Sequence, residues 1–412
     1  MAVTKQFFRA LATITSIAVC QIVQSAVLPE DRTDLLFHSY EGDNSTFNGP
    51  SLLVRKQYKE TVSAWANYYI DLNSAASVDV VTQGSKFEEQ RDETSLGLDY
   101  LHNKTVLSVS ATNSSENDYE ADSFSLGVSQ DFFGDMSTLT MSYSNGKDDI
   151  YRNIRGNNDS DPNTNQSDIV GRTYVDSATH KRFGIGWTQI FTKNWIVAFN
   201  AEATVDQGFL HNPYRQVRYI SSSGGGQIGT TNEPENYPTT RNGQAYAIKS
   251  MYYLPWKAAL KLEYRTFSDS WQIEAFNYET KYIHPFKEDW IFEFRYRYYE
   301  QTQASFYAEI FPFENITGEE FRASDKEMSN FNNTAIGFGL TWEFDKRWIG
   351  ALDKVTVNLF SDFVSYEYGN YLDKRQSDIR FTPAGGTPLN PGEESAFAFD
   401  AQITRFFISI WY

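Results

Sequence analysis

Beyond its N-terminus, the sequence lacks any apolar run long enough to form a membrane-spanning helix, which needs about 18 consecutive apolar residues. It also has a single cysteine, Cys20, among 412 residues. If Cys20 is removed with an N-terminal signal, the mature chain has no disulfide, no thiolate metal site and no cysteine nucleophile. Net positive charge is missing as well. The formal net charge of −17 argues against a nucleic-acid partner.

Aromatic residues, in contrast, are abundant. They make up 16% of the chain, with 31 Phe, 26 Tyr and 9 Trp. Yet 22% of the residues are charged and the mean hydropathy is only −0.50. This combination fits poorly to a soluble fold around one buried core. It suits a closed transmembrane barrel, which has an apolar outer band, a polar lumen and aromatic rims.

The N-terminus predicts export from the cytoplasm. Two basic residues precede the apolar stretch ALATITSIAVCQIV, which is followed by small residues around Ser25 and Ala26. This is the pattern of a cleaved signal peptide. We predict a signal peptide over 1–25, cleaved after Ser25 or Ala26, and a barrel over 26–412. A lipid anchor on Cys20 is the weaker alternative, because the valine before it is larger than the residues that lipidation signals use there.

Alternation of apolar and polar residues predicts β-strands. The stretch FEFRYRYYE, residues 292–300, places four aromatic rings on one face of an extended chain and Glu293, Arg295 and Arg297 on the other. The pattern recurs along the chain, often with Gly, Ser or Thr as the polar partner. A soluble sandwich also alternates, but its outward face seldom carries so many glycines and serines. In a barrel, these small residues would line the lumen.

The fold class that follows is all-β: a single transmembrane antiparallel up-and-down β-barrel with short periplasmic turns and long extracellular loops. The predicted strands are 34–41, 51–58, 61–71, 94–101, 104–112, 121–131, 136–145, 179–191, 195–204, 244–254, 257–267, 271–283, 289–301, 331–344, 353–366 and 396–412. About 16 strands therefore cross the membrane, and an even number returns both termini to the periplasm. The first strand has the weakest pattern, and without it and its partner 14 strands would remain.

The C-terminal stretch RFFISIWY is the most specific local signal. Its alternate apolar residues are Phe406, Ile408, Ile410 and Tyr412. A closing strand must pair with the first strand and present an unbroken apolar row to lipid, and this pattern satisfies the second requirement. It also resembles the C-terminal signal read by the outer-membrane barrel assembly machinery, which is therefore an expected partner.

The N-terminal third of the mature chain carries a family likeness. The stretches LPEDRTDLLFHSYEG, GPSLLVRKQY, VSAWANYYIDLNSAASVDVVT, SLGLDYLHNKT and SQDFFGD resemble the domain-of-unknown-function 3570 family of Gram-negative, largely proteobacterial, predicted outer-membrane proteins. The resemblance is densest over residues 28–150. It implies a barrel in the outer membrane, and it supplies no substrate, cofactor or catalytic motif.

A set of charged residues is expected to face the lumen if the strand register is right. Its members are Lys249, Lys261, Glu263, Arg265, Glu293, Arg295, Arg297, Glu343, Asp362 and Arg405. Two interpretations remain open: the charges pair and simply fill the barrel, or they set a transverse field that sorts solutes by charge.

Metal and catalytic sites are weakly indicated. The stretch NNDSDPNTNQSD offers a calcium candidate in Asp159, Asp161, Asn163 and Asn165, but it lacks the glycine and glutamate of an EF-hand loop. A solvated loop is the preferred interpretation, and no cofactor is predicted. The chain also lacks H-E-x-x-H spacing. A catalytic pairing of His180 or His211 with Asp176 or Glu202 would require distances that the sequence cannot provide.

The sequence therefore predicts no enzyme. It favours a porin-like outer-membrane channel, passive or substrate-selective, with a charged lumen that the loops 145–178 and 205–243 narrow. The alternative is a non-conducting barrel that serves as an adhesin, or as a sheath for a periplasmic or lumen partner protein or redox carrier. An outer-membrane hydrolase comes third. Outer-membrane lipid and lipopolysaccharide are expected partners. The sequence indicates neither a solute nor an oligomeric state.

Overall fold

The computed structural model describes residues 27–75, 87–155, 169–223, 227–312, 320–344, 350 and 352–412. Its strands, in chain order, are β1 (Arg32–Gly42), β2 (Ser45–Tyr58), β3 (Val62–Ala75), β4 (Phe87–His102), β5 (Thr105–Glu116), β6 (Tyr119–Phe132), β7 (Ser137–Arg155), β8 (Ile169–Thr192), β9 (Trp195–Gly208), β10 (Gln216–Ser223), β11 (Gln227–Pro234), β12 (Thr240–Tyr253), β13 (Ala259–Asp269), β14 (Glu274–Phe286), β15 (Trp290–Gln301), β16 (Phe331–Glu343), β17 (Lys354–Leu372) and β18 (Ala396–Trp411). Three short 3₁₀ helices, Lys326–Met328, Lys374–Ser377 and Ile379–Phe381, are the helices of the described residues. None of them is long and apolar enough to cross a membrane.

Sixteen of these strands form one closed antiparallel barrel, and the predicted fold class is confirmed. Each strand pairs with its neighbours in sequence, except that β9 pairs with β12 because β10 and β11 form a separate two-stranded hairpin. The weakly patterned first strand is present as β1. It closes the barrel against β18 in a register that runs from Arg32 opposite Trp411 to Gly42 opposite Ala401.

The two ends of the barrel differ in their connections. The first described residues, from Val27, and the C-terminal residue Tyr412 lie at one end, called the terminal end, where the turns are short. The turn at 103–104, for example, has only two residues, and Asn103 adopts a positive φ of 55°, which asparagine tolerates better than most residues. The opposite end, called the loop end, carries the long connections 209–239, 302–330 and 373–395.

Two predicted long loops are wrong. The predicted strands 104–112 and 121–131 leave a loop at 113–120, but the structure has a two-residue turn there, because β5 and β6 stay paired as far as Glu116 opposite Tyr119. Most of the predicted loop 145–178 is strand, since β7 continues to Arg155 and β8 begins at Ile169. Toward the loop end these strands carry polar residues on both faces, so the apolar alternation that marks a strand disappears from the sequence while backbone pairing continues.

The outward face of the barrel is apolar. Its exposed side chains include Leu35, Phe37, Leu52, Leu96, Leu98, Leu107, Phe124, Leu126, Ile185, Trp187, Phe199, Ile248, Leu262, Phe338, Leu340, Leu359 and Phe406. Exposed aromatic rings gather near the terminal end, among them Tyr58, Tyr100, Trp195, Tyr252, Trp256 and Trp342. A closed sheet with an apolar exterior leaves no unpaired strand edge for lipid to meet, which is the architecture of a membrane-spanning barrel.

The C-terminal residues lie where the closing strand requires them. Phe406, Ile408 and Ile410 alternate on β18, and the Phe406 side chain is exposed on the outside. Tyr412 follows the strand, and its backbone N–H donates to the Asp31 carbonyl at 3.4 Å. The terminal residue therefore helps to join the two ends of the sheet.

Candidate functional site

The lumen has two unlike walls. One wall, formed by β4 to β8, carries small residues at its inward positions and is called here the small-residue wall. Its members are Ser95, Gly97, Ser108, Ser110, Thr112, Ser123, Ser125, Gly127, Thr140, Ser142, Ser144, Gly184 and Gly186. Between them in the sequence stand exposed apolar residues such as Leu98, Val109 and Leu126, which point outward. The small-residue wall is therefore the inner side of an outwardly apolar sheet.

The second wall is built by β12 to β15 together with β17 and β18, and is called the charged wall. Its members are Lys249, Lys261, Glu263, Arg265, Glu279, Lys281, Glu293, Arg295, Arg297, Asp362 and Arg405. The structure thus places the predicted lumen charges at inward positions of their strands. Glu343 is also at an inward position, but at the terminal end, where its carboxylate lies 2.6 Å from the Lys354 ammonium.

A three-member charge network crosses the charged wall. Asp362 on β17 forms an ion pair with Arg295 on β15 at 2.5 Å and accepts a hydrogen bond from Arg405 on β18 at 2.7 Å. β16 lies between β15 and β17, and a side chain on β16 at this level would block the contact between Arg295 and Asp362. Gly337 on β16 removes the obstacle, since a Cβ at that position would lie 1.9 Å from the Asp362 carboxylate.

Other charges of this wall pair less tightly and remain partly exposed. Lys249 lies 3.2 Å from Glu263, with 33% and 25% of their side chains exposed. Arg265 lies 3.7 Å from Glu202, with 32% and 38% exposed. The Arg297 guanidinium stacks over the Tyr299 ring at 5.6 Å. Among the described residues, the side chains of the Lys249–Glu263 and Arg265–Glu202 pairs keep a quarter or more of their surface uncovered by other protein groups.

The two walls face each other. In the strand order of the barrel, β4 to β8 lie across from β14 to β18, whereas β12 and β13 lie across from β2 and β3. Long charged side chains therefore project toward a surface of hydroxyl groups and glycines. A barrel of eight strands is filled by its own side chains, whereas one of about 16 leaves an aqueous interior. The arrangement can hold water and ions in a slot between the walls.

Three loops close over this slot at the loop end and are called the cap. They are the described parts of residues 209–239, 302–330 and 373–395. The first two are joined by backbone hydrogen bonds, in which the Ile220 N–H donates to the Phe311 carbonyl at 3.0 Å and the Phe311 N–H donates to Arg218 at 2.8 Å. A second pair of bonds joins Asn236 and Arg322 at 3.0 and 2.7 Å.

The cap lies inside the mouth of the barrel. Leu210 and Tyr237 from the first loop are in one buried apolar cluster with Tyr119 and Ile150, which are inward residues of β6 and β7. The inward folding predicted for 205–243 is therefore observed at Leu210 and Tyr237. In the predicted loop 145–178, residues 156–168 lie outside the described part of the chain.

Buried Arg218 joins all three loops. Its guanidinium lies 2.5 Å from Glu309 of the second loop and 2.7 Å from Glu394 of the third, and the three side chains are 9%, 9% and 0% exposed. Burial alone would raise the pKa of Glu394, but hydrogen bonds from Ser377 and Arg218 hold that pKa below its ordinary value.

A second buried group of ionisable residues lies between the first two loops. Glu235 accepts from the Ser324 N–H at 2.9 Å and from the Tyr237 hydroxyl at 3.0 Å, while Arg215 lies 3.0 Å from Asp325. Burial, with the Asp325 charge adding to it, raises the pKa of Glu235 to about 7. Burial lowers the pKa of His211 in the same loop to about 4.

The histidine pairing suggested from sequence is wrong in its partners. His180 is hydrogen-bonded to Asp206 through Nδ1 and to Asp148 through Nε2, both at 2.8 Å, instead of to Asp176 or Glu202. His211 stacks on Phe209, with ring centroids 4.0 Å apart. The two histidines are thus held in separate environments.

The remaining sequence candidates lie outside the described residues. These are Asp159, Asp161, Asn163 and Asn165 of the calcium candidate, and the predicted signal peptide 1–25 with Cys20. Within the described part of the chain, no group of three or more His, Cys, Asp or Glu side chains is arranged to hold a metal ion.

Sequence reasoning missed the cap ion pairs and the role of Gly337. Arg218 stands between Val217 and Tyr219, and nothing in this short stretch indicates that the arginine side chain is buried as well. Gly337 was visible as a small inward residue. Its value depends on a contact between strands on either side of it, which only a three-strand register reveals.

Comparison with known proteins gives one family match and distant structural likenesses. The sequence profile of a family described as "Protein of unknown function (DUF3570)" matches residues 67–353. No curated protein matches the sequence significantly.

Three solved structures illustrate the structural likeness. The siderophore receptor PirA from Acinetobacter baumannii is 11% identical, with 91% of this chain and 57% of that chain covered and a TM-score of 0.45. A bacterial polysaccharide outer membrane secretin is 6% identical, with 93% and 100% covered and a TM-score of 0.47. The outer membrane protein opdK from Pseudomonas aeruginosa is 10% identical, with 92% and 98% covered and a TM-score of 0.41. The chain spans little more than half the length of the PirA receptor, and likenesses this distant carry no argument about function.

Proposed function

The chain belongs to the DUF3570 family, whose description assigns no function, and from that premise we propose that it is an outer-membrane channel with a charge-selective lumen and no catalytic activity. Closed barrels with an even number of strands and an apolar outer band are the membrane-spanning proteins of bacterial outer membranes. In that setting the terminal end faces the periplasm and the loop end faces the cell exterior.

The observation that carries the proposal is that the two lumen walls differ in composition, since one carries small residues and the other carries charged residues. A barrel that served only as a filled scaffold would have no reason to set a row of serines and glycines opposite long charged side chains. The small-residue wall leaves room for solvent, and partly exposed charges on a strand opposite it, such as Lys281 and Glu279 on β14, reach toward it. Ions passing between the walls would feel the charged wall at short range, in a narrow space where screening by water is reduced.

The cap controls access in this proposal. Arg218 links the three loops of the cap to one another. Lys326 anchors the cap to the barrel, because its ammonium lies 2.5 Å from Asp43 in the turn between β1 and β2. Solutes would pass beside the cap or when it moves. The cap is also the observation that favours the second candidate, a non-conducting barrel that seats a partner, because a permanently packed mouth would carry no current.

Planar-bilayer recording separates the two candidates. The mature protein is expected to give stepwise ionic conductance, and Arg295→Glu is expected to shift the reversal potential in a salt gradient toward cation selectivity. Lys147→Glu is the matched control, since it makes the same charge reversal at an exposed position on the outward face of β7. It should leave the reversal potential unchanged. A protein that folds and inserts but stays electrically silent at neutral and acid pH would contradict the channel and support the partner-binding barrel.

A further inference from the structure

The outer surface of the barrel carries an apolar groove with a volume of about 410 Å³. It runs across β7, β8, β9, β12 and β13, and its walls are formed by Ile185, Trp187, Phe199, Tyr246, Ile248 and Tyr264. All six side chains point outward and are exposed. The groove therefore opens toward the surroundings of the barrel and not toward the lumen.

The groove exists because β9 carries alanines where its neighbours carry large side chains. Ala201 stands between Ile185 on β8 and Tyr246 on β12, and the next outward residue, Ala203, stands beside Phe183. The missing side-chain volume leaves a furrow along β9. Ala201 lies six residues from Trp195, or about 20 Å along the strand from the aromatic rim of the terminal end. The furrow thus runs through the loop-end half of the apolar band.

An unpaired basic residue stands above the furrow. Lys181 is outward and exposed on β8, four residues or about 13 Å from Ile185 toward the loop end. It makes no ion pair with another described residue, whereas nearby Lys147 is held by Asp149 at 2.9 Å. At this end, outward positions on other strands are mostly acidic, as at Asp92, Asp122, Glu300, Glu367 and Asp400.

We propose that the furrow and Lys181 form a binding site for lipopolysaccharide, with one acyl chain lying along Ala201 and Ala203 and a phosphate of the lipid headgroup at the Lys181 ammonium. The furrow is within the band that faces hydrocarbon, so its occupant must be a hydrocarbon chain. Lys181, which pairs with no other described residue, favours a chain that belongs to an anionic lipid, and the otherwise acidic rim disfavours such a headgroup elsewhere. The site rests on the outer-membrane orientation in the proposed function, but not on conduction.

Two variants test the site in the folded, full mature protein. Ala201→Trp fills the furrow, and Lys181→Glu reverses the charge above it. The matched controls are Ala111→Trp, at an outward alanine on β5, and Lys147→Glu, at the ion-paired lysine on β7. The measurement is native mass spectrometry of delipidated protein titrated with purified lipid A and with lipid A from which the phosphates have been removed.

The wild type is expected to retain one lipid A molecule in preference to further ones. Ala201→Trp should weaken that first binding step at least tenfold, and Lys181→Glu should weaken it about threefold to tenfold, whereas both controls should leave it unchanged. Removing the phosphates should weaken binding to wild type and make little difference to Lys181→Glu. If Ala201→Trp fails to fold, Ala203→Leu fills the same furrow with a smaller side chain.

Three outcomes would overturn the site. Equal weakening by Ala111→Trp would indicate general lipid coverage of the barrel. Equal binding of phosphorylated and dephosphorylated lipid would remove the role of Lys181. Loss of an oligomer in Ala201→Trp, with lipid binding unchanged, would make the furrow an interface between copies of the chain. A barrel that conducts no current in bilayer recordings would contradict the proposed channel. The lipid-binding measurements would still test the lipid site.

Discussion

The ion pairs of the cap and those of the lumen are built from the same residue types in opposite environments. In the cap, Arg218, Glu309 and Glu394 are almost fully buried. In the lumen, Lys249 and Glu263 expose a quarter to a third of their side chains. A buried pair is costly to break, because the remaining charge has no water to solvate it. An exposed pair contributes little to stability, since water competes for both partners.

The difference separates structural charges from functional ones. The cap pairs fix three loops in one arrangement and determine whether the mouth is covered. The lumen pairs do little to hold the barrel together, yet they leave charge where a passing ion would meet it. Substitutions in the cap should therefore change mainly stability. Substitutions in the lumen should change mainly ion selectivity.

The largest effect is expected from Arg218→Met. It leaves Glu394 buried without its arginine, and we expect the cap to lose about 3–5 kcal/mol. Hydrogen exchange at the Ile220 and Phe311 amides, which bond across the two loops, reports this loss. Arg380→Met is the control, because Arg380 is 55% exposed and pairs with Asp378 two residues away, so its loss should cost less than about 1 kcal/mol. Equal protection in both variants would show that the cap does not depend on the buried pair.

An intermediate effect is expected from Asp362→Asn. The carboxylate is 4% exposed and forms ion pairs with two arginines, so its neutralisation should cost about 1.5–3 kcal/mol. The urea midpoint of the protein refolded into lipid vesicles measures it. Glu367→Gln removes a charge from an exposed position of the same strand and should leave the midpoint in place. If the urea midpoint is unchanged in both variants, Asp362 contributes as little to stability as the exposed ion pairs of the lumen.

The pH dependence of the cap should have two opposing parts. Glu235 has a raised pKa, so its contribution to cap stability is present in acid and is lost as the pH rises from 4.5 to about 7. His211 has a lowered pKa, so its contribution is present above pH 6.5 and is lost as the pH falls toward about 4. Each slope is at most about 1.4 kcal/mol per pH unit.

Single variants should expose one part at a time. Glu235→Gln should leave a cap that loosens only in acid, and His211→Phe one that loosens only toward neutral pH. The rate of proteolysis of the cap, taken relative to wild type at each pH, measures both. Identical pH profiles for the two variants would remove these groups from the control of the mouth.

The smallest effect is expected from the Lys249 and Glu263 pair. A double-mutant cycle with Lys249→Met and Glu263→Gln should give a coupling below about 1 kcal/mol, and the coupling should fall further at high salt. The same variants should still change ion selectivity if the lumen conducts. A coupling as large as the loss of about 3–5 kcal/mol expected for Arg218→Met would contradict the difference between the ion pairs of the cap and those of the lumen.

The barrel itself could be predicted closely from the sequence, because a strand has a side-chain period of two and one oily face. That period determines which residues share a face, so Arg295, Arg297 and Arg405 were assigned to the inward side before any register was known. The pattern fails where both faces meet water. Beyond Asn145, β7 continues through Lys147 and Asp148, and this polar stretch reads as loop.

The cap could not be predicted for a different reason. Arg218, Glu309 and Glu394 come from three connections separated by whole hairpins, and no local spacing links them. Their burial depends on how the loops pack over the mouth, which is set by side-chain volume and by contacts such as those of Leu210 with the barrel wall. The lipid groove is similar, since Ala201 becomes notable only between Ile185 and Tyr246.

The seam between β1 and β18 has a consequence for biogenesis. It joins β1 to β18, so the cylinder cannot be sealed until β18 has been synthesised. A prematurely terminated chain would leave two raw edges facing hydrocarbon, and each would demand hydrogen bonds that lipid cannot provide. The seam can therefore form only in a chain that contains β18, and a chain that lacks β18 cannot complete the barrel.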